Sequence, residues 1–276
     1  MKFYLTIIAT LFSLSLVYSQ ESIPFNSSRP GQAFTPLTVG KSSLQLQSGF
    51  RISETWTARN NRFSGLYFSN FINSNLFRYG ISDKVEIRGG VSWLREYDKI
   101  FEVFGTPLAS SHSWINFGSR ILLMADDEKS QYLSFQQNLS VLLSQRSPLQ
   151  DVESFELLLA YSRPMFSKTT LTANLSVDAF AIFDESHLNY VLNFSFPITR
   201  TLGGFVEHYA TWFFDEILPS WDAGLSLMVT PNLQIDLSGG YGKVDTLVIL
   251  GMQQWFVDTG VSWKIKNGAS HSECNG

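Results

Sequence analysis

From residue 43 onward this sequence alternates. In Leu171-Thr172-Ala173-Asn174-Leu175-Ser176-Val177-Asp178-Ala179 the odd positions are apolar and the even positions polar. A β-strand sends successive side chains to opposite faces, so such a segment has one greasy face and one wet face. The pattern returns in Leu133-Ser134-Phe135-Gln136, in Leu233-Gln234-Ile235-Asp236-Leu237-Ser238 and in Val85-Glu86-Ile87-Arg88. About twelve such segments are legible, beginning near Ser43, Ser69, Lys84, His112, Tyr132, Phe155, Thr169, His187, Gly203, Trp221, Leu233 and Phe256. They leave no room for a long helix, and helical periodicity is absent after residue 19.

Alternation alone also suits a soluble β-sandwich or jelly roll. The links separate the two readings. Those at 80–83, 125–129, 166–168, 199–201 and 230–232 are short and turn-like. Those at 57–68, 94–111, 144–154, 213–220 and 242–255 read as long, and only 183–186 is brief among them. Short and long links in phase are the habit of outer-membrane barrels, which have short periplasmic turns, longer external loops and an even strand number. The expected fold is therefore all-β: a transmembrane antiparallel β-barrel of about twelve strands over residues 42–265, both termini periplasmic.

Composition agrees. Charged residues make up 16% of the chain, against about 25% in soluble domains, and aromatic residues 14%. That balance suits an outer surface in lipid. The formal net charge is −4 with no basic cluster, so nothing points to nucleic acid. Lys2, the apolar stretch 3–17 and Val17-Tyr18-Ser19 read as a signal peptide over residues 1–19, cut before Gln20. No Cys follows that cut, so a lipoprotein anchor is not expected. The one cysteine, Cys274, lies in a polar tail (residues 266–276) and has no partner for an internal disulfide. Residues 20–41 carry Arg29-Pro30-Gly31-Gln32 and read as an extended segment, either inside the barrel mouth or in the periplasm.

The sequence resembles the outer-membrane transporter family named after the MetA pathway of phenol degradation. The likeness runs through Arg29-Pro30-Gly31-Gln32, Leu44-Gln45-Leu46-Gln47-Ser48-Gly49-Phe50 and Phe205-Val206-Glu207. Its most specific stretch is Arg78-Tyr79-Gly80-Ile81-Ser82-Asp83-Lys84-Val85-Glu86-Ile87-Arg88. The resemblance implies an outer-membrane barrel that passes small, aromatic or apolar compounds.

The alternation also assigns faces. Leu44, Phe50, Ile87, Val91, Trp93, Leu175, Val177, Ile235, Leu237, Val261 and Trp263 fall on the lipid face. The lumen then receives Arg51, Arg78, Glu86, Arg88 and Arg120 from the first four strands. It receives Glu156, Asp178, Glu207, Asp222 and Asp236 from later ones. One arc is mainly basic and the opposite arc mainly acidic. Twelve strands about 4.8 Å apart and tilted about 40° give a backbone diameter of roughly 24 Å. Inward side chains reduce the free bore to about 10 Å or less. Arg51, Arg78, Glu86, Arg88, Arg120, Glu207, Asp222 and Asp236 are the candidates for lining a constriction. They would either orient passing solutes or close the barrel with salt bridges.

Enzymatic chemistry finds little support. His208 follows Glu207, but neighbours on a strand face opposite sides and cannot pair. His112 sits between two serines, a weak signal where serine is common. No metal-ligand spacing and no phosphate loop appear, because Gly239-Gly240-Tyr241-Gly242 ends a strand rather than opening a helix. No catalytic residue, metal or cofactor is expected. The expected partners are outer-membrane lipid, the barrel-assembly machinery and an unidentified small solute. The alternative function is a closed structural or surface-interaction barrel acting through its external loops.

Overall fold

The structure is a computed structural model that describes residues 25, 27–29, 31–56, 67–98, 108–144, 154–166, 168–180, 185–213, 216–246 and 249–266. The expected signal peptide and C-terminal tail lie outside the described residues, apart from Lys266. Twelve strands follow one another: β1 (Ser43–Trp56), β2 (Tyr67–Gly80), β3 (Val85–Asp98), β4 (Leu108–Asp126), β5 (Gln131–Ser144), β6 (Ser154–Phe166), β7 (Thr169–Phe180), β8 (Glu185–Pro197), β9 (Leu202–Phe213), β10 (Glu216–Thr230), β11 (Leu233–Thr246) and β12 (Ile249–Lys266). Each pairs antiparallel with its sequence neighbours, and β1 pairs with β12 from Ser43↔Lys266 to Trp56↔Gln253. The sheet is therefore closed and has no free edge, the one way a sheet satisfies all its backbone groups in lipid. Among the described residues no helix is long and apolar enough to cross a membrane.

The register fixes the two faces. On β1, Gln45, Gln47, Ser53 and Thr55 are buried toward the lumen, whereas Phe50 and Ile52 are half-exposed outside. Leu175, Val177, Ile235, Leu237, Val261 and Trp263 stand on the outer wall as the alternation required. A charge there faces hydrocarbon. Leu175→Arg, in the middle of β7, is expected to cost about 2–4 kcal/mol. The loss is to be read as a lower urea midpoint for unfolding of the barrel in detergent.

Two of the links expected to be long are not. Only residues 214–215 separate β9 from β10, and only 247–248 separate β11 from β12. The strands continue into what reads as loop because the alternation lapses there. Leu218 (3% exposed) and Met252 (1%) point inward although apolar, so both faces are greasy near that rim. The links 57–66, 99–107, 145–153 and 181–184 lie outside the described residues. Strands of 12 to 19 residues exceed the roughly 9–11 that a bilayer needs. For orientation we call the rim with the short links and both barrel ends the turn rim, and the other the loop rim.

Candidate functional site

Ahead of β1, the described residues 27–29 and 31–41 form a strap that crosses the lumen, and the inward side chains of several strands hold it.

Its first anchor is Arg29. The guanidinium Nε and Nη2 donate to Asp236 Oδ1 at 3.3 and 3.1 Å, and Nη2 also donates to Asp258 Oδ1. Arg51 donates to the other oxygen of Asp258 through Nε (3.1 Å) and Nη2 (3.0 Å), so Asp258 bridges two arginines. Gln234 Nε2 donates to the Arg29 carbonyl at 3.0 Å, and the Ser27 and Ser262 hydroxyls lie 2.7 Å apart. The Arg29 side chain rests on a floor without side chains. Gly49 of β1 and Gly260 of β12 are direct partners across the barrel seam, and a Cβ on either would overlap the guanidinium. Gly49→Val is therefore expected to dislodge Arg29 while its acidic partners stay in place, with an overpacking cost of about 1–3 kcal/mol. Conductance above wild type in planar bilayers is the expected reading, and wild-type conductance would show that the strap is not seated there.

The second anchor is Glu207. Its carboxylate accepts the backbone N–H groups of Gln32 (2.6 Å) and Ala33 (3.0 Å), and the Asn193 amide (2.6 Å). Two consecutive N–H groups converge on one anion because Gly31 turns the chain at φ +91°, the geometry of a backbone anion nest. A Cβ at Gly31 would also meet Glu207 Oε1 at 2.6 Å. Both facts require glycine in the Arg29-Pro30-Gly31-Gln32 motif. Asn174 of β7 then clasps Phe34, accepting from its N–H at 2.6 Å and donating to its carbonyl at 2.9 Å.

The third anchor is built on Glu86. Arg78 grips it with two parallel bonds, Nε to Oε1 and Nη2 to Oε2, both 2.9 Å, the strongest form of a carboxylate–guanidinium pair. Arg120 Nη1 and Arg88 Nε approach Oε1 at 3.7 and 3.8 Å. Three guanidiniums thus share one carboxylate, and Arg78, Arg120 and Glu86 are all fully buried. Gln136 Oε1 accepts from Arg120 at 2.7 Å and from Arg88, and Gln45 Oε1 accepts from Arg78 at 2.8 Å. The strap completes the cluster. Its Leu37 carbonyl accepts from Arg78 and Arg120, both at 3.0 Å, and its Val39 N–H donates to Glu86 Oε2 at 3.0 Å. The Phe34 ring lies 5.3 Å from the Arg88 guanidinium carbon.

All eight residues singled out from the sequence face the lumen. Arg78, Glu86, Arg88 and Arg120 form one cluster, and Glu207, Asp236 and Arg51 take part in the other two anchors. Asp222 stands directly across from Glu207 in the β9–β10 register and is 3% exposed. Sequence reasoning missed Arg29, Asp258, Gln45, Gln136, Asn174 and Asn193. Arg29 and Gln45 carried a signal as parts of recognised motifs, and Gln136 and Asn174 as polar positions of the alternation. Between the strap and the turn rim lies a cavity of ≈ 1280 Å³, lined by Arg29, Ala33 and Leu37 of the strap and by Tyr132, Asn193 and Gln234 of the wall.

His208 and His112 stand apart from these charges. His208 faces outward, where its Nδ1 is 3.2 Å from the Tyr190 hydroxyl and its ring packs edge-on against Trp221. His112 packs against Trp114. Among the described residues no three His, Cys, Asp or Glu side chains form a group that could hold a metal ion.

Solved structures share this fold. The chain is similar to the COG4313 outer membrane channel from Pseudomonas putida F1, with a TM-score of 0.65 and 9% identity over 87% of this chain and 100% of that one. It is also similar to the β domain of the Bordetella autotransporter BrkA, with a TM-score of 0.56 and 9% identity over 82% of this chain and 100% of that one. No family model matches the chain, and no curated protein matches it. Identities this low establish the architecture of a closed outer-membrane-type barrel and nothing further.

Proposed function

We propose that this chain is a channel of the Gram-negative outer membrane for small solutes, narrowed by its own N-terminal strap. On this reading residues 1–19 direct export, the barrel-assembly machinery folds the barrel into outer-membrane lipid, and the turn rim faces the periplasm. The observation that carries the proposal is how the strap is fastened. From Ser27 to Val39 its bonds to the wall run through side chains of the wall or of the strap itself, as at Arg29–Asp236, Gln32–Glu207 and Val39–Glu86. Such contacts exchange with water when the strap shifts, and the barrel's own ladder does not depend on them. A cavity of ≈ 1280 Å³ already lies on the turn-rim side. The solutes are small, since the free bore of such a barrel is about 10 Å or less. The resemblance to the phenol-degradation family favours aromatic or apolar compounds.

A closed structural barrel is the second reading, favoured by the fully buried Glu86 cluster, which fills part of the lumen on its own. Swelling of liposomes containing the purified protein separates the two. The channel reading expects swelling with amino acids and monosaccharides and none with solutes wider than the bore. No swelling with any solute, for wild type and for a variant without the strap, would sink it.

A further inference from the structure

The outer wall is uneven. Facing outward on β1, β2, β4 and β5 are Ser48, Asn73, Asn75, Ser119 and Gln137, where the alternation calls for apolar residues. On β2 the pattern is inverted: Ile72 and Leu76 share the lumen face with Arg78, and Asn73 and Asn75 share the outer face with Phe77. The outward polar groups bond to one another. Ser48 Oγ donates to Asn75 Oδ1 (2.8 Å), Asn75 Nδ2 to Asn73 Oδ1 (2.7 Å), and Asn73 Nδ2 to the Gly49 carbonyl (3.0 Å). Gln137 Nε2 donates to Ser119 Oγ at 3.2 Å.

These groups do not lie at a rim. On β2 the asparagines have Phe77 and Tyr79 on the turn-rim side and Phe71 on the other. Phe50, Phe77 and Val91, which surround them, are 48%, 50% and 44% exposed. At that depth water is not available to a polar group. A primary amide carries two N–H groups and two acceptor lone pairs. The bonds above use one N–H of each asparagine, and on a wall bathed in hydrocarbon a second N–H left without a partner is costly. Membrane proteins place amides of this kind where another protein surface meets them. A patch that presents N–H groups and carbonyl oxygens side by side is the complement of itself. A two-fold rotation brings donors of one copy onto acceptors of the other, and the apolar ring of Phe50, Phe77 and Val91 packs around them.

We infer that the β1–β5 wall docks on the same wall of a second copy of this chain, with Asn73 and Asn75 at the two-fold axis. The outward pair His208 with Tyr190 lies across the barrel on β8 and β9 and takes no part.

Disulfide trapping in outer-membrane vesicles tests the inference, with Cys274→Ser removing the native thiol. Asn75→Cys is expected to run as a covalent dimer on a non-reducing gel after mild oxidation. Val177→Cys, on the outer wall of β7, is expected to stay single. Native mass spectrometry of the wild-type protein should show two copies, and the Asn73→Leu/Asn75→Leu double variant should show one. That variant replaces polar groups by apolar ones on a lipid-facing wall, and its shift in gel mobility on boiling verifies that it folds. A single-copy mass for wild type with no link at position 75 overturns the inference. So does a link at 177 as strong as at 75, or a cross-link at 75 to a protein of another mass.

Discussion

Arg29→Ala is expected to turn a barrel that is mostly blocked into one that is mostly conducting. Among the described residues Arg29 is the single cation bonded to Asp236, whose side chain is fully buried, and it shares Asp258 with Arg51. Removing one member of a buried ion pair costs about 3–5 kcal/mol, because the remaining charge is left uncompensated. At about 1.4 kcal/mol per factor of ten, the ratio of released to seated strap rises by roughly two to four orders of magnitude. Single-channel recordings should show long open dwells where wild type shows rare ones. Arg29→Lys should restore little, since an ammonium cannot serve Asp236 and Asp258 with a planar fork. Adding Asp236→Asn to Arg29→Ala should restore part of the closed state, because it removes the orphaned charge. Dwell times in Arg29→Ala equal to wild type would show that the strap does not control passage.

Glu86→Gln acts on the wall rather than on the strap alone. Glu86 is the one carboxylate within 4 Å of Arg78, Arg88 and Arg120 among the described residues. The amide keeps the shape and removes the charge, so three guanidiniums remain buried around a neutral group. Breaking such a cluster is expected to cost about 3–5 kcal/mol. The loss should appear as a barrel that unfolds at a distinctly lower urea concentration in detergent. An unchanged midpoint would mean that the arginines find compensation elsewhere. Gln45→Ala, which removes a neutral acceptor from Arg78, should cost far less, about 1–3 kcal/mol.

Much of the fold was legible because the period-2 pattern and the turn chemistry agree along most of the chain. Leu175, Val177, Ile235 and Leu237 alternate with polar residues, and that alone assigns their faces. The pattern failed where the lumen turns apolar. Ile217-Leu218 and the stretch around Met252 gave no alternation, so two strand extensions read as long loops. It also gave no warning on β2, where a polar residue points outward at Asn73 and Asn75. The charged lumen residues were legible for the same reason as the fold: a charge on a strand in lipid must face inward. Their partners were not. Gly49 and Gly260 are 211 positions apart, and only the closing of β1 on β12 brings them under Arg29. The carbonyl of Leu37 and the N–H groups of Gln32, Ala33 and Val39 carry no side-chain signature, so the way the strap meets the lumen charges was hidden. A motif such as Arg29-Pro30-Gly31-Gln32 showed that the segment matters without showing what it touches.

The most direct test of the strap as the element that narrows the proposed channel is a planar-bilayer comparison of the mature chain with a variant lacking residues 20–38. Both are first checked for the shift in gel mobility on boiling that marks a folded barrel. The account predicts a small or rarely open conductance for the mature chain and a larger, steadily open one for the variant. Two folded proteins with the same conductance, or with none, would contradict it.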